Sequence, residues 1–204
     1  MIIGICGFIG SGKDTIADYL VNLHGFRRES VASTLKDAVA QVFGWDRTML
    51  EGRTKQAREW REQKDAFWSE KFGYDFTPRM ALQLMGTEAG RDVFHSDIWV
   101  ISLLNRAKGR NVVVTDVRFQ NEIMYIQAHM GIILRVKRGP EPIWYDEMLN
   151  ISDFELRENY MDQFKVHRSE WDWIGCHVDF EIDNNGTLQD LRNNVLGLLT
   201  TRGS

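Results

Sequence analysis

The chain has 204 residues and carries 25 Lys and Arg against 29 Asp and Glu, a formal charge of -4 at pH 7. That length supports one sizeable core, no proline- or serine-rich linker divides it, and the acidic balance argues against a general nucleic-acid binder, which needs surplus cations to neutralise phosphates. The two cysteines, Cys6 and Cys176, stand too far apart for a disulfide framework or a zinc spacing. The N-terminal apolar run is too short for a signal peptide or membrane span, so a reducing cytoplasm is the expected setting.

Residues 2–6 form an apolar strand pattern that runs directly into Gly7-Phe8-Ile9-Gly10-Ser11-Gly12-Lys13-Asp14-Thr15. This has the form G-x-x-x-x-G-K: glycines let backbone N–H groups turn inward around a phosphate chain, Lys13 adds a point charge, and the following helix adds its dipole. Asp14 departs from the pattern, because a Ser or Thr hydroxyl normally ligates magnesium there. A carboxylate facing a triphosphate would be repelled, so Asp14 is expected to turn away or act through water and leave the metal contact to Thr15. Ile16, Ala17, Leu20 and Val21 give the helix one apolar face, and Gly25 stops it.

A second short strand is expected over 27–31, then a helix from Leu35 to Gly44, with Lys36 in its first turn reading as solvated surface. Residues 46–76 mix charge with Trp60, Phe67 and Trp68, which predicts an exposed helix or helix pair with an aromatic seam. Thr77-Pro78 starts the next helix as N-cap and first residue. On α-helical geometry Arg79, Gln83, Thr87 and Arg91 recur every four residues and share one flank, a candidate anion-facing wall.

Asp97 is placed to cap another apolar helix, and residues 111–115 form a β-branched run suited to a strand buried on both faces. Asp116 stands at its C-terminal end, where ligands of open α/β sheets gather and where P-loop enzymes carry the acid that steadies magnesium. A helix spaced by Phe119, Ile123, Ile126 and Met130 leads to a strand over 132–137 that ends in positive charge. An irregular aromatic and acidic excursion follows, with Trp144, Tyr145, Trp171 and Trp173. A final strand over 178–182 turns through Asn184-Asn185-Gly186 into a last helix that Thr187 and Asp190 cap. The result is a parallel sheet of about five strands with helices on both faces. It forms a single domain over 1–204, with a helical substrate-side insertion around 45–95 and a lid around 139–176. The closing Arg202-Gly203-Ser204 has the form of a cloning remnant.

A cradle does not by itself specify a reaction. No guanine-reading N-K-x-D element follows the central strand, and small size with two insertions suits a small-molecule kinase, which must close over both substrates to exclude water. The segments Gly10–Thr15, Leu35-Lys36-Asp37, Arg79 with Leu82-Gln83, Gly86-Thr87-Glu88 with Arg91, Asp97 with Trp99-Val100, Thr115–Arg118 with Glu122, His167 with Ser169-Glu170, and Asn184–Leu188 together resemble the phage deoxynucleoside monophosphate kinases. The resemblance implies a three-layer P-loop kinase fold and transfer of the γ-phosphoryl of ATP to a deoxynucleoside monophosphate. It implies that Lys13 and the backbone of Gly10, Ser11, Gly12, Asp14 and Thr15 hold ATP, and that Thr15 and Asp116 hold Mg2+ directly or through water. Lys36, Arg79, Gln83, Thr87, Glu88, Arg91 and Trp99 then fall on the monophosphate side. Arg118 serves either phosphate, and Arg138, Arg157 and Arg168 are candidate lid arginines. No nucleic-acid or membrane partner is expected; a homodimer through the aromatic seam at 60–68 is a candidate, as is a host-cell cytoplasm for a phage protein. A kinase of another small acceptor and a non-enzymatic ATP-binding module are the alternatives.

Overall fold

The computed structural model describes residues 1–201, so the proposed remnant at 202–204 lies outside the described residues. In chain order the elements are β1 (Ile2–Cys6), α1 (Lys13–His24), β2 (Arg27–Glu29), α2 (Ser33–Phe43), α3 (Arg47–Glu51), α4 (Lys55–Glu62), α5 (Ala66–Phe72), α6 (Pro78–Leu84), a π-helical segment (Met85–Phe94) and α7 (Ile98–Ala107). Then come β3 (Val112–Val114), α8 (Gln120–Ala128), β4 (Ile132–Lys137), α9 (Tyr145–Asn150), α10 (Phe154–Asp162), β5 (Phe180–Asp183) and α11 (Leu188–Thr201). No helix among the described residues is long and apolar enough to cross a membrane.

The contacts divide the chain into two compact units, residues 1–30 with 107–204 and residues 31–106. The second unit runs from Val31 to Arg106. It takes in α2 and most of α7, whose amphipathic patterns look no different from those of crossover helices.

The first unit holds a five-stranded sheet in the order β2-β3-β1-β4-β5, with every neighbouring pair parallel. Side chains alternate along β1. Ile3 and Ile5 join Ile16, Ala17 and Leu20 of α1 and Leu191 and Val195 of α11 in one core cluster. Gly4 points to the other face, where a Cβ would meet Ile126 of α8 at 3.1 Å and Ile133 at 2.8 Å. Helices thus cover both faces of the sheet in three layers, and the β-branched strand Val112–Val114 is fully buried between them. The C-terminal ends of β1 and β3 release Gly7 and Asp116 on the same edge.

The second unit is all helical. Its core gathers Leu35, Val39 and Leu50 with the aromatic seam, in which Phe43 stacks on Trp45 and meets Trp68 and Phe76 edge-on or tilted. Three short helices replace the expected pair, each with a side-chain cap: Asp46 on Thr48 N, Thr54 on Ala57 N and Asp65 on Trp68 N. Thr77 caps α6 through the Met80 amide as its sequence predicts. The helix does not continue as α, however. From Met85 to Phe94 it widens into ten residues of π-helix, with Gly86 and Gly90 buried.

Candidate active site

Between β1 and α1 the backbone turns through Gly7 at φ 134°, Gly10 at φ 81° and Gly12 at φ 103°. Two of these glycines are required twice over. A Cβ on Gly7 would stand 2.4 Å from the Val136 carbonyl, and one on Gly12 would stand 2.3 Å from Asn184 Nδ2, so conformation and space both exclude a side chain. Lys13 Nζ folds over the loop and donates to the Gly7 and Phe8 carbonyls at 2.7 Å each. An ammonium has three N–H groups, so one direction is left for a ligand. Burial, and after it the neighbouring Arg118, hold the Lys13 ammonium below the usual lysine range, while Glu170 and Asp14 oppose them. Lys13 and Arg118 thus set two cations beside the glycine loop, with the Glu170 carboxylate paired to Arg118. Ser11 Oγ, on the same loop, lies buried with no hydrogen-bond partner.

Sequence reasoning overlooked what fixes this loop. Phe8, a variable position of the motif, packs edge-on against Trp144, Tyr145 and Trp173 with ring centroids 5.6, 5.9 and 5.1 Å apart. Asn184 Nδ2 donates to the Ser11 carbonyl at 2.8 Å. Their signals were present as an aromatic-rich excursion and an Asn-Asn turn, but neither pattern names its target.

Asp14 behaves as its charge requires. Its carboxylate is 80% exposed and pairs with Arg28 at 2.8 Å, and Arg28 also binds Asp18. Thr15 follows on the next helical position. It lines a groove of about 290 Å³ between α1 and α11 with Tyr19, Leu188 and Arg192. Successive helix positions are rotated by about 100°, so when Asp14 faces β2, Thr15 faces elsewhere. Asp116 accepts a 2.5 Å hydrogen bond from Ser30 Oγ. This pair is a hard-oxygen donor set of the sort Mg2+ uses, since that ion takes one or two carboxylates plus substrate phosphates and waters.

The turn after Asp116 is held by the buried carboxylate of Glu122, which accepts from the Arg118 and Phe119 amides at 2.8 and 3.2 Å. Arg118 in turn meets Glu170 and Ser169 from the β4–β5 excursion, and Asp172 accepts from the Gln120 amide. His167 Nδ1 lies 2.9 Å from Ser169 Oγ, so it orders this segment. Of the lid arginines, Arg157 donates to the Ile151 and Ile174 carbonyls and serves as an internal brace. Arg168 lies over the Phe154 ring at 4.3 Å and pairs with Asp172. Arg138 is exposed and makes no ion pair among the described residues.

In the second unit Lys36 is not solvated surface. Its side chain is 14% exposed and pairs with Glu51 at 2.9 Å; burial would raise the Glu51 pKa, yet Lys36 and Arg47 hold it below the usual range. A charge neutralised in this way is a weak candidate for a phosphate. Arg79 pairs with Glu62 at the surface, and Gln83, Thr87 and Glu88 are exposed. Arg91 is half-buried and donates to the Ser96 carbonyl at 2.9 Å. Of these positions, Arg79 and Gln83 lie on α6, and Thr87, Glu88 and Arg91 lie in the π segment, where the backbone bonds run between residues five apart. Trp99 is a packing residue: its Nε1 donates to the Gly86 carbonyl at 2.8 Å, and its ring fills the space a Gly90 side chain would need.

A strand, a left-handed glycine turn, a lysine over the turn and a helix, all at the carboxyl edge of a parallel sheet, define a P-loop protein of the kinase class. A protein of Acanthamoeba polyphaga mimivirus, provisionally assigned as a deoxynucleotide monophosphate kinase, is 32% identical over 152 residues, spanning 68% of this chain and 74% of that one. The chain belongs to the deoxynucleoside monophosphate kinase family. The deoxynucleoside-5'-monophosphate kinase of Escherichia phage T5 is 27% identical, over 60% of this chain and 70% of its own. Among solved structures, a shikimate kinase from Aquifex aeolicus overlays with a TM-score of 0.46 at 12% identity, covering 100% of this chain and 98% of that one. A scan against models of known protein families finds no match.

Proposed function

We propose that the chain moves the γ-phosphoryl of ATP to the phosphate of a deoxynucleoside 5'-monophosphate, giving ADP and the deoxynucleoside diphosphate. The observation that carries this reading is the Lys13 ammonium, held over the Gly7 and Phe8 carbonyls with one N–H direction left and its basicity lowered by burial and by Arg118. A buried ammonium beside an arginine favours a bound anion, and a nucleotide triphosphate tail is such an anion.

The acceptor phosphate is already ionised at neutral pH, so the protein needs no strong base. In-line placement and charge neutralisation carry the reaction. Lys13 and the loop amides take the donor phosphates, and Arg118 is released from Glu170 to meet the transferring group. Asp116, with Ser30 beside it, would hold Mg2+ directly or through water, and a bound ion there would supply charge neutralisation to the donor phosphates. Arg91, Gln83 and Thr87 take the monophosphate, with Arg79 as a surface alternative and Lys36 as a scaffold under Glu51. Arg138 is the lid arginine with no partner to give up, and residues 139–176 act as the lid.

A coupled assay of ADP release against a panel of deoxynucleoside monophosphates tests the reading. Acceptor-dependent release is expected, and Lys13→Ala should lower it by at least about 10²-fold with the fold retained. ATP bound with no acceptor-dependent release would overturn the kinase reading, and near-normal turnover in Lys13→Ala would overturn the role of the loop.

A further inference from the structure

We infer that Asn184 is a positioning residue for the phosphate-binding loop, aiming the Gly12 amide into the cradle from the opposite end of the chain. The inference rests on the reading of that loop as the ATP site. Asn184 is itself fixed, because its backbone N–H donates to the Lys137 carbonyl at 2.8 Å and extends the β4–β5 pairing. The following Asn185 accepts from the Gly139 amide at 2.7 Å, and its own N–H is held by Asp183 at 2.7 Å. From that rigid corner the Asn184 amide reaches Ser11, 173 positions earlier, and donates to its carbonyl at 2.8 Å.

The consequence follows from the planar trans peptide. The Ser11 carbonyl and the Gly12 N–H belong to one peptide unit and point in opposite directions. A carbonyl anchored on Asn184 therefore turns the Gly12 N–H to the other side, and that N–H has no acceptor among the described residues. Were the unit to flip, a carbonyl oxygen would face the phosphates and repel them. The loop alone does not prevent this. Gly10 and Gly12 allow either orientation, and a single backbone hydrogen bond, Ser11 N to Phe8 O at 3.2 Å, spans the turn. The close approach of Nδ2 also accounts for glycine at position 12, since any Cβ there would fall 2.3 Å from it.

Asn184→Asp keeps the shape but replaces the donor with an oxygen facing the Ser11 carbonyl; Asn184→Ala removes the contact. Both leave the backbone bond to Lys137 in place. Calorimetry with inorganic tripolyphosphate, together with steady-state kinetics, should show binding weakened by about tenfold, with the ATP KM raised by a similar factor and the monophosphate KM changed by less than about twofold. Hydrogen exchange at residues 11–13 should speed up while the α11 amides stay as they were. Should Asn184→Asp fail to fold, Asn184→Ser decides. Wild-type tripolyphosphate affinity in the folded variants overturns the inference, as does a lowered melting temperature with both KM values moving together. A wild-type chain that binds tripolyphosphate but phosphorylates no acceptor removes the kinase reading, and the binding arm then decides the role of Asn184 by itself.

Discussion

Gly90→Ala is expected to destabilise the helical unit while Gly86→Ala, four residues earlier in the same π segment, is nearly silent. The added methyl at 90 would stand 2.5 Å from Trp99 Cζ2, 2.9 Å from Cε2 and 2.8 Å from the Met85 carbonyl. The carbonyl is backbone and cannot retreat, and the indole is anchored by its 2.8 Å hydrogen bond to the Gly86 carbonyl. Forcing an extra carbon into a filled site costs about 1–3 kcal/mol, and displacing the indole adds about 0.5–1.5 kcal/mol for its hydrogen bond. Against this, alanine is better than glycine inside a helix by about 0.5–1 kcal/mol. The net loss is about 1–3 kcal/mol, which lowers a urea midpoint by about 0.5–1.5 M at a slope of about 2 kcal/mol/M. At Gly86 the methyl meets only Leu35 Cδ2, at 2.9 Å, the far end of a flexible side chain that can rotate away. Urea unfolding followed by tryptophan fluorescence, with the monophosphate KM measured alongside, tests both variants. Equal midpoints for Gly90→Ala and Gly86→Ala would refute the claim that Trp99 is wedged against the π segment.

Arg91→Ala should raise the KM for the deoxynucleoside monophosphate far more than that for ATP, and equal changes would contradict its assignment to the acceptor. Because the folded-state pKa of Lys13 lies below its unfolded value, the buried ammonium opposes folding at pH below both, and that penalty disappears as pH rises through the interval beneath the ordinary lysine value. Phosphates reverse the shift. ATP binding should take up protons, and weaken, as pH climbs into that interval; calorimetry in two buffers of different ionisation enthalpy measures this, and buffer-independent heats would refute it. Burial pushes Cys6 up to about 12 and Cys176 up to about 11, so both thiols should resist iodoacetamide at pH 8 in the native protein and react once it is unfolded.

The sequence by itself determined the parts governed by neighbours along the chain. The cradle from Gly7 to Lys13 is legible because each glycine answers a backbone demand within a few residues. The five strands, the caps at Thr77 and Thr187 and the aromatic seam are legible because period and capping are local properties. Asp116 is legible because a buried strand must end at the ligand edge of the sheet. Only the tertiary structure decided the rest. It turned Thr15 toward α11, took Lys36 into a pair with Glu51, widened the stripe helix around Gly86 and Gly90 to admit Trp99, and brought Phe8 and Asn184 to opposite ends of one loop. Each of these depends on a contact with a residue distant in sequence. Such a contact forms because two surfaces share volume and complementary polar groups, and no period, spacing or composition along the chain encodes which two surfaces those are.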